Sequence, residues 1–247
     1  MFRQALPLGR RSAGPAVASD AHVTVCLPPV VPVRADSAPI FVSFEGIDGA
    51  GKSTQVERLK AFLEDRGRKV VVAREPGGTE LGERIRELLL DGDEVVPWAE
   101  AYLFAAARAQ LVERVLRPAL ARGCDVVVDR YVDSSLAYQG VARGLGSEDV
   151  YDVNRKALGD LVPDRTFLLS LAAEDAGFRR AEPLDRMERE SLVFRRTVEE
   201  GYRGLVERFP GRIVEIDASL PEEKIAALVR KNVRPLLRRT AARAACS

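Results

Sequence analysis

From Ile40 onward the chain alternates short apolar runs with stretches in which apolar side chains recur every three or four residues. Ile40, Phe41, Val42, Ser43 and Phe44 form a β-rich run closed by Gly46, the pattern of a buried strand. Val56, Leu59, Phe62 and Leu63 then share a helical face over residues 52–66, and Gly67 supplies the stop. Val70-Val71-Val72-Ala73 reads as a second buried strand, and Leu81, Ile85, Leu88 and Leu89 mark a second helix. A longer helix is predicted from Pro97, well placed in a first turn, to about Ala121. Further strands are predicted over 124–128, 166–171 and 213–216, with a charged helix from about Met187 to Arg208 and another from Pro221 to Leu237. Strands apolar on both faces and separated by helices predict an α/β fold: five parallel strands with helices on either side. Ligands in such sheets gather at the carboxyl ends of the strands.

Residues 1–38 break this pattern. They hold four Arg and no Lys, and Pro28-Pro29 and Pro32 interrupt their only apolar patch. The composition predicts a disordered N-terminal extension, followed by one domain over 39–247. The early Arg residues and scarce acids faintly suggest an organelle transit peptide, but without a clean amphipathic helix. Cysteine usage and the lack of an apolar run near the ~18 residues that span a bilayer suggest a soluble protein with no membrane partner, and the expected location is the cytoplasm.

Charge and rare residues narrow the chemistry. Lys plus Arg number 38 against 37 Asp plus Glu, a formal charge of +1, which argues against a polymer-binding nucleic-acid surface. The single histidine, His22, lies in the extension, so a Ser-His-Asp triad or a histidine-rich zinc site is a poor reading. Cys26, Cys124 and Cys246 are too far apart for a C-x-x-C pair and suggest neither a disulfide framework nor a thiolate cage.

The first strand runs into Gly46-Ile47-Asp48-Gly49-Ala50-Gly51-Lys52-Ser53, which satisfies G-x-x-x-x-G-K-[ST] between a strand and a helix. Glycines let successive N–H groups face one anion, the helix N-terminus adds its positive end, Lys52 adds a full charge, and Ser53 can ligate Mg²⁺. Gly46 to Ser53, with Thr54 next in the helix, are the candidate ATP-binding residues. The third strand delivers Asp129 beside this loop, where it would hold Mg²⁺ through water. The fold expected is thus a three-layer P-loop NTPase fold.

Two further strand ends carry chemistry: Arg74-Glu75-Pro76-Gly77-Gly78-Thr79, and Asp129-Arg130-Tyr131 followed by Asp133-Ser134-Ser135 and Tyr138-Gln139-Gly140. Phe104 and Arg108 lie one helical turn apart. On spacing alone Phe104 also suits plain core and Arg108 a surface ion pair. The combination F-E-G-x-[DE]-G-x-G-K-[ST], R-E-P-G-G-T, F-A-A-x-R and D-R-Y-x-D-S-S-x-A-Y-Q-G resembles the bacterial thymidylate kinase family from residue 40 to about 237.

That resemblance implies transfer of a phosphoryl group from ATP to dTMP, with Mg²⁺, by a homodimer paired through the apolar helix around Leu103 to Leu111. It implies that Asp48 sits over the sugar 3′-hydroxyl and that Arg74 and Arg130 hold the acceptor phosphate. Phe104 would stack on thymine, Arg108 would bond its edge, and Ser135 and Gln139 would complete the nucleoside pocket. Tyr138 would crowd the 2′ side of the sugar, and Glu75 would join the same network. It also implies a short arginine-bearing lid over Phe178 to Glu188, in which Arg179, Arg180 and Arg186 are the candidate closers. Lys52, Asp129, Arg130, Arg179 and Arg180 are then the expected catalytic set.

Overall fold

The computed structural model describes residues 38–91, 93–176 and 185–238. The predicted extension up to residue 37, and Arg179 and Arg180, lie outside them. Five strands form one all-parallel sheet: β1 (Phe41–Glu45), β2 (Val70–Arg74), β3 (Asp125–Asp129), β4 (Arg165–Ser170) and β5 (Ile213–Asp217), in the order β2-β3-β1-β4-β5. Every residue of β1 is buried, and Val126, Val127, Val128, Phe167 and Leu169 are fully enclosed. Apolar side chains on both faces of these strands require cover on both faces.

The second strand departs from expectation. β2 is not buried: Val70 and Val71 are half-covered and Val72 is 37% exposed. It occupies the sheet edge and pairs only with β3, and a hydropathy run cannot tell an edge strand from a central one.

The helices are α1 (Lys52–Glu64), α2 (Glu80–Leu90), α3 (Pro97–Leu111), α4 (Arg117–Ala121), α5 (Val132–Ser135), α6 (Ser147–Leu158), α7 (Ala173–Ala176), α8 (Leu192–Arg208) and α9 (Glu222–Leu237). The helix predicted from Pro97 to Ala121 spans α3 and α4, joined by a wider π-helical turn at Val112–Leu116. Pro118 follows that turn and has no N–H to donate, a recognised reason for a helix to loosen. A second π-helical stretch, Leu136–Ala142, continues α5. The charged helix begins at Leu192 rather than Met187, because Ser191 caps it by accepting from the Phe194 N–H at 3.1 Å. Residues 185–188 close their own turn instead: Asp185 N–H donates to Glu188 and Glu188 N–H donates to Asp185, at 3.0 and 2.8 Å.

α1 packs on β3 and α9, α3 on α2 and α6, and α8 on the 136–142 stretch. Among the described residues no helix is long and apolar enough to cross a membrane. Cys124, the one cysteine within the described residues, is half-buried at the start of β3 and carries no disulfide.

Gly46 joins β1 to the loop that precedes α1, with φ of 134°. A Cβ placed there would lie 2.5 Å from the Leu169 carbonyl oxygen of β4, so both backbone conformation and space demand glycine. Gly46→Ala should cost about 2 kcal/mol or more of folding stability, measured as a lower urea midpoint with unchanged slope.

Candidate active site

The phosphate loop spans Gly46 to Ser53, and the positive φ values at Gly46, Gly49 and Gly51 curl it around the start of α1. Lys52 is buried and its Nζ donates to the carbonyl oxygens of Gly46 and Ile47, both at 3.0 Å, with Asp48 Oδ1 at 3.6 Å. Burial and the nearby Arg130 press the Lys52 ammonium below its ordinary pKa, against the pull of Asp48 and Asp129. The next side chain, Ser53, donates its hydroxyl to Asp129 Oδ2 at 2.8 Å. The sheet register explains the meeting: Asp129 is the last residue of β3 and pairs with Phe44, two residues before the loop. The predicted metal ligands therefore stand together. Two hard oxygen donors at the rim of a phosphate cleft fit Mg²⁺, which takes one or two protein oxygens and completes its shell with water and phosphate.

Arg130 follows Asp129 in a left-handed conformation, φ 68°, the one positive φ outside glycine among the described residues. That is an uncommon conformation for a bulky residue, and the surroundings hold it. Arg130 N–H donates to the Phe44 carbonyl at 2.9 Å, and the next N–H, of Tyr131, donates to Glu45 Oε1 at 2.7 Å. Glu45 also accepts from the hydroxyls of Ser134 and Tyr202, at 2.5 and 3.1 Å. Thus fixed, the Arg130 guanidinium reaches Asp48 Oδ1 at 2.5 Å and Ser134 Oγ at 3.2 Å, and lies 5.4 Å over the Tyr138 ring. Burial would lift the Asp48 pKa, but Arg130 and Lys52 outweigh it and hold this carboxyl far below the carboxylate range.

Two cavities share this junction. The phosphate cleft, ≈ 950 Å³, is lined by Gly49, Gly51, Lys52, Ser53, Thr54, Arg74 and Asp129. The second, ≈ 490 Å³, is lined by Phe104, Ser135, Tyr138, Gln139 and Met187. Asp48, Glu75, Arg86 and Arg130 line both. The structure therefore brings together Asp48, Glu75, Phe104, Arg130, Ser135, Tyr138 and Gln139 as expected, and Phe104 is a cavity wall rather than plain core. Arg74 lies on the phosphate side only, 56% exposed and paired with Glu83 at 3.0 Å.

Three placements differ from expectation or were missed by it. Arg108 is buried behind the cavity, and all five of its N–H donors are taken: by Glu75 Oε2 twice, by Ser135 Oγ, by Asn154 Oδ1 and by the Tyr131 carbonyl. It braces Glu75 and Ser135 and leaves no donor over for a base edge. Arg186 is not a lid closer: its Nε donates to the Leu89 carbonyl and its Nη2 to the buried Glu100, both at 2.7 Å. It pins the 185–188 turn to α2 and α3. Arg86, which no motif in the sequence singles out, is half-buried and donates to the Pro76 carbonyl at 3.0 Å. Burial, with Arg74 close by, lowers its pKa. Its one signal in the sequence is a cation next to Ile85 on an otherwise apolar helix seam.

The Glu45 carboxyl is enclosed, and its pKa is pushed up to about 8 by burial and by Asp133, against Ser134 and Arg130. The folded state therefore keeps a proton that the unfolded chain releases near its ordinary value of 4.5. Stability from this group is complete below that value and is lost as pH rises through about 8. Urea unfolding from pH 5 to 9 should show this decline, and Glu45→Gln should flatten it.

Known proteins resemble this chain over most of its length. A family model described as thymidylate kinase matches residues 44–229. A thymidylate kinase of Chlorobaculum tepidum is 47% identical over 214 residues, covering 82% of this chain and all of that protein. One of Bifidobacterium longum subsp. infantis is 47% identical over 204 residues, covering 81% of this chain and 88% of its own. A crystal structure of thymidylate kinase from Ehrlichia chaffeensis superposes with a TM-score of 0.65 at 28% identity, covering 80% of this chain and 99% of that one. With its phosphate loop, its Ser53–Asp129 pair and its double cavity in place, the chain belongs to the thymidylate kinase family.

Proposed function

We propose that this protein transfers the γ-phosphoryl group of ATP to dTMP, releasing dTDP and ADP, as a cytoplasmic homodimer. The observation that carries the reading is the shared wall: a phosphate cleft and an aromatic-lined cavity meet at Asp48, Glu75, Arg86 and Arg130. A donor phosphate chain in the cleft and a nucleotide in the cavity would bring their phosphates together there. The cavity's Phe104 supplies a stacking face for a base, and Tyr138 lies near Asp48 on the sugar side.

Transfer proceeds by attack of an acceptor phosphate oxygen on the γ-phosphorus as the bond to the β-phosphate oxygen breaks. The acceptor oxygen is already ionised near neutral pH, so the protein needs no strong base. It supplies placement and positive charge. Lys52 and the loop N–H groups hold the donor phosphates. Arg130 and Arg86 face the acceptor phosphate, Arg74 lies at the cleft mouth, and Arg179 and Arg180 are assigned to the transferring group. Ser53, with Asp129 through water, would hold Mg²⁺, which neutralises phosphate charge. Asp48, kept ionised, accepts a hydrogen bond from the sugar 3′-hydroxyl.

For the dimer, the exposed side of α3 is the better face than the Leu103–Leu111 stripe. Ala107 and Leu111 point into the core, whereas Trp98 and Tyr102 stack at 5.8 Å between centroids on the surface, and Leu81 and Leu88 of α2 are also exposed.

Lys52→Ala should lower kcat by about 10³ while the urea midpoint changes little. Phe104→Ala should raise the KM for dTMP by about tenfold with kcat nearly kept, since base stacking on an aromatic ring contributes about 1–3 kcal/mol. Both are read in a coupled ADP-release assay with dTMP, dUMP, dCMP and dGMP as acceptors, where dTMP should be preferred.

A further inference from the structure

Glu100, in the first turn of α3, is fully buried and lines neither cavity. Its Oε2 accepts from Arg186 Nη2 at 2.7 Å and Arg143 Nη2 at 3.2 Å, and its Oε1 accepts from Arg143 Nε at 3.2 Å. The remaining partner is Gln139, whose Nε2 donates to Glu100 Oε1 at 2.8 Å. A carboxylate clasped by two guanidinium groups can only accept, so the Gln139 amide must turn its NH₂ toward it. Gln139 is 1% exposed and lines the nucleoside cavity, and among the described residues nothing else bonds its amide. The group left for the cavity is its carbonyl oxygen.

We propose that Glu100 is a specificity-determining positioning residue: by fixing the polarity of the Gln139 amide it makes the cavity select a pyrimidine with an N3–H donor over one with an N3 lone pair. This rests on the assignment of that cavity to the acceptor base. Thymine presents N3–H to the carbonyl and gains a hydrogen bond. Cytosine presents a lone pair, leaving two acceptors opposed in a buried site. Arg143 and Arg186 act one step further out, by holding Glu100 in place.

The test is Glu100→Gln. Its amide oxygen would stay with the guanidinium groups and its NH₂ would face Gln139, which would then rotate and offer NH₂ to the cavity. The kcat/KM ratio of dTMP to dCMP should fall at least tenfold, mainly through the KM for dTMP. Glu100→Asp keeps the charge for both arginines and should lower the ratio less, which covers the case in which Glu100→Gln fails to fold. Gln139→Ala should lower the ratio as well, and Glu100→Gln should add nothing to the ratio in that background. Equal loss of both activities in the Glu100 variants, with the ratio unchanged, would reduce Glu100 to a structural role and overturn the proposal. If Gln139→Ala lowers the ratio while the Glu100 variants do not, the base-cavity reading stands and only the role of Glu100 falls. If Gln139→Ala leaves the ratio unchanged, the assignment of the base contact itself is overturned.

Discussion

The carboxyl edge of β1 is where the architecture converges on a single buried group. Glu45, the last residue of that central strand, accepts from the Tyr131 N–H and the hydroxyls of Ser134 and Tyr202. Those bonds join three elements that are far apart in sequence: the phosphate loop that follows β1, the turn after β3, and α8. A buried carboxyl that lost these partners would be costly, so each element constrains the others. The left-handed Arg130 is possible because this clasp holds the residue after it. Arg130 then meets Asp48 of the phosphate loop, and the donor and acceptor sides are set at a fixed distance.

The same structure explains how a chain of nearly zero net charge can hold two polyanionic nucleotides. Six cations in and around the site are balanced by carboxylates: Lys52 and Arg130 by Asp48, Arg74 by Glu83, Arg108 by Glu75, and Arg143 and Arg186 by Glu100. The pairs divide by burial. Those at Glu75 and Glu100 are enclosed and act as fixed braces, because opening either would leave a buried charge alone. The pair of Arg74 with Glu83 is open to water and contributes little to stability. The charge count along the sequence therefore conceals two populations of arginine, one enclosed and bracing the site and one open to water.

This division also marks how far the sequence could be read. The phosphate loop was legible because its glycines, Lys52 and Ser53 are contiguous and lie between a strand and a helix. Asp129 was legible because a parallel register places strand ends side by side. β2 was misread as buried because edge position depends on strand order, which local hydropathy does not carry. The π-helical turn that presents Tyr138 and Gln139 has no signal at a period of 3.6 residues. Arg108 and Arg186 were seen as arginines of the site, yet their roles depend on partners 33 and 86 residues away in sequence, Glu75 and Glu100. Nothing local distinguishes such a brace from a ligand. Glu100 was missed for the converse reason, because one carboxylate at the start of a helix reads as an ordinary dipole partner.

The protonation pattern follows from the packing and suits phosphoryl transfer. Asp48 and Glu75 at the junction and Glu45 behind it sit in environments that push their pKa values apart. Asp48, between Arg130 and Lys52, stays ionised at any pH at which the protein works, so it can accept a hydrogen bond but is a very weak base. Glu75 is raised by burial while Arg108 pulls the other way, and it faces that guanidinium from inside the wall. Glu45 has its pKa pushed up to about 8 by burial and by Asp133, but its oxygens are engaged by Tyr131, Ser134 and Tyr202, and it lines neither cavity. Glu45 is thus shut away from both cavities. Asp48, which lines both cavities, is tuned against taking a proton. Such a site is built to place charges, and an acceptor whose nucleophilic oxygen is already ionised is the substrate that needs nothing more.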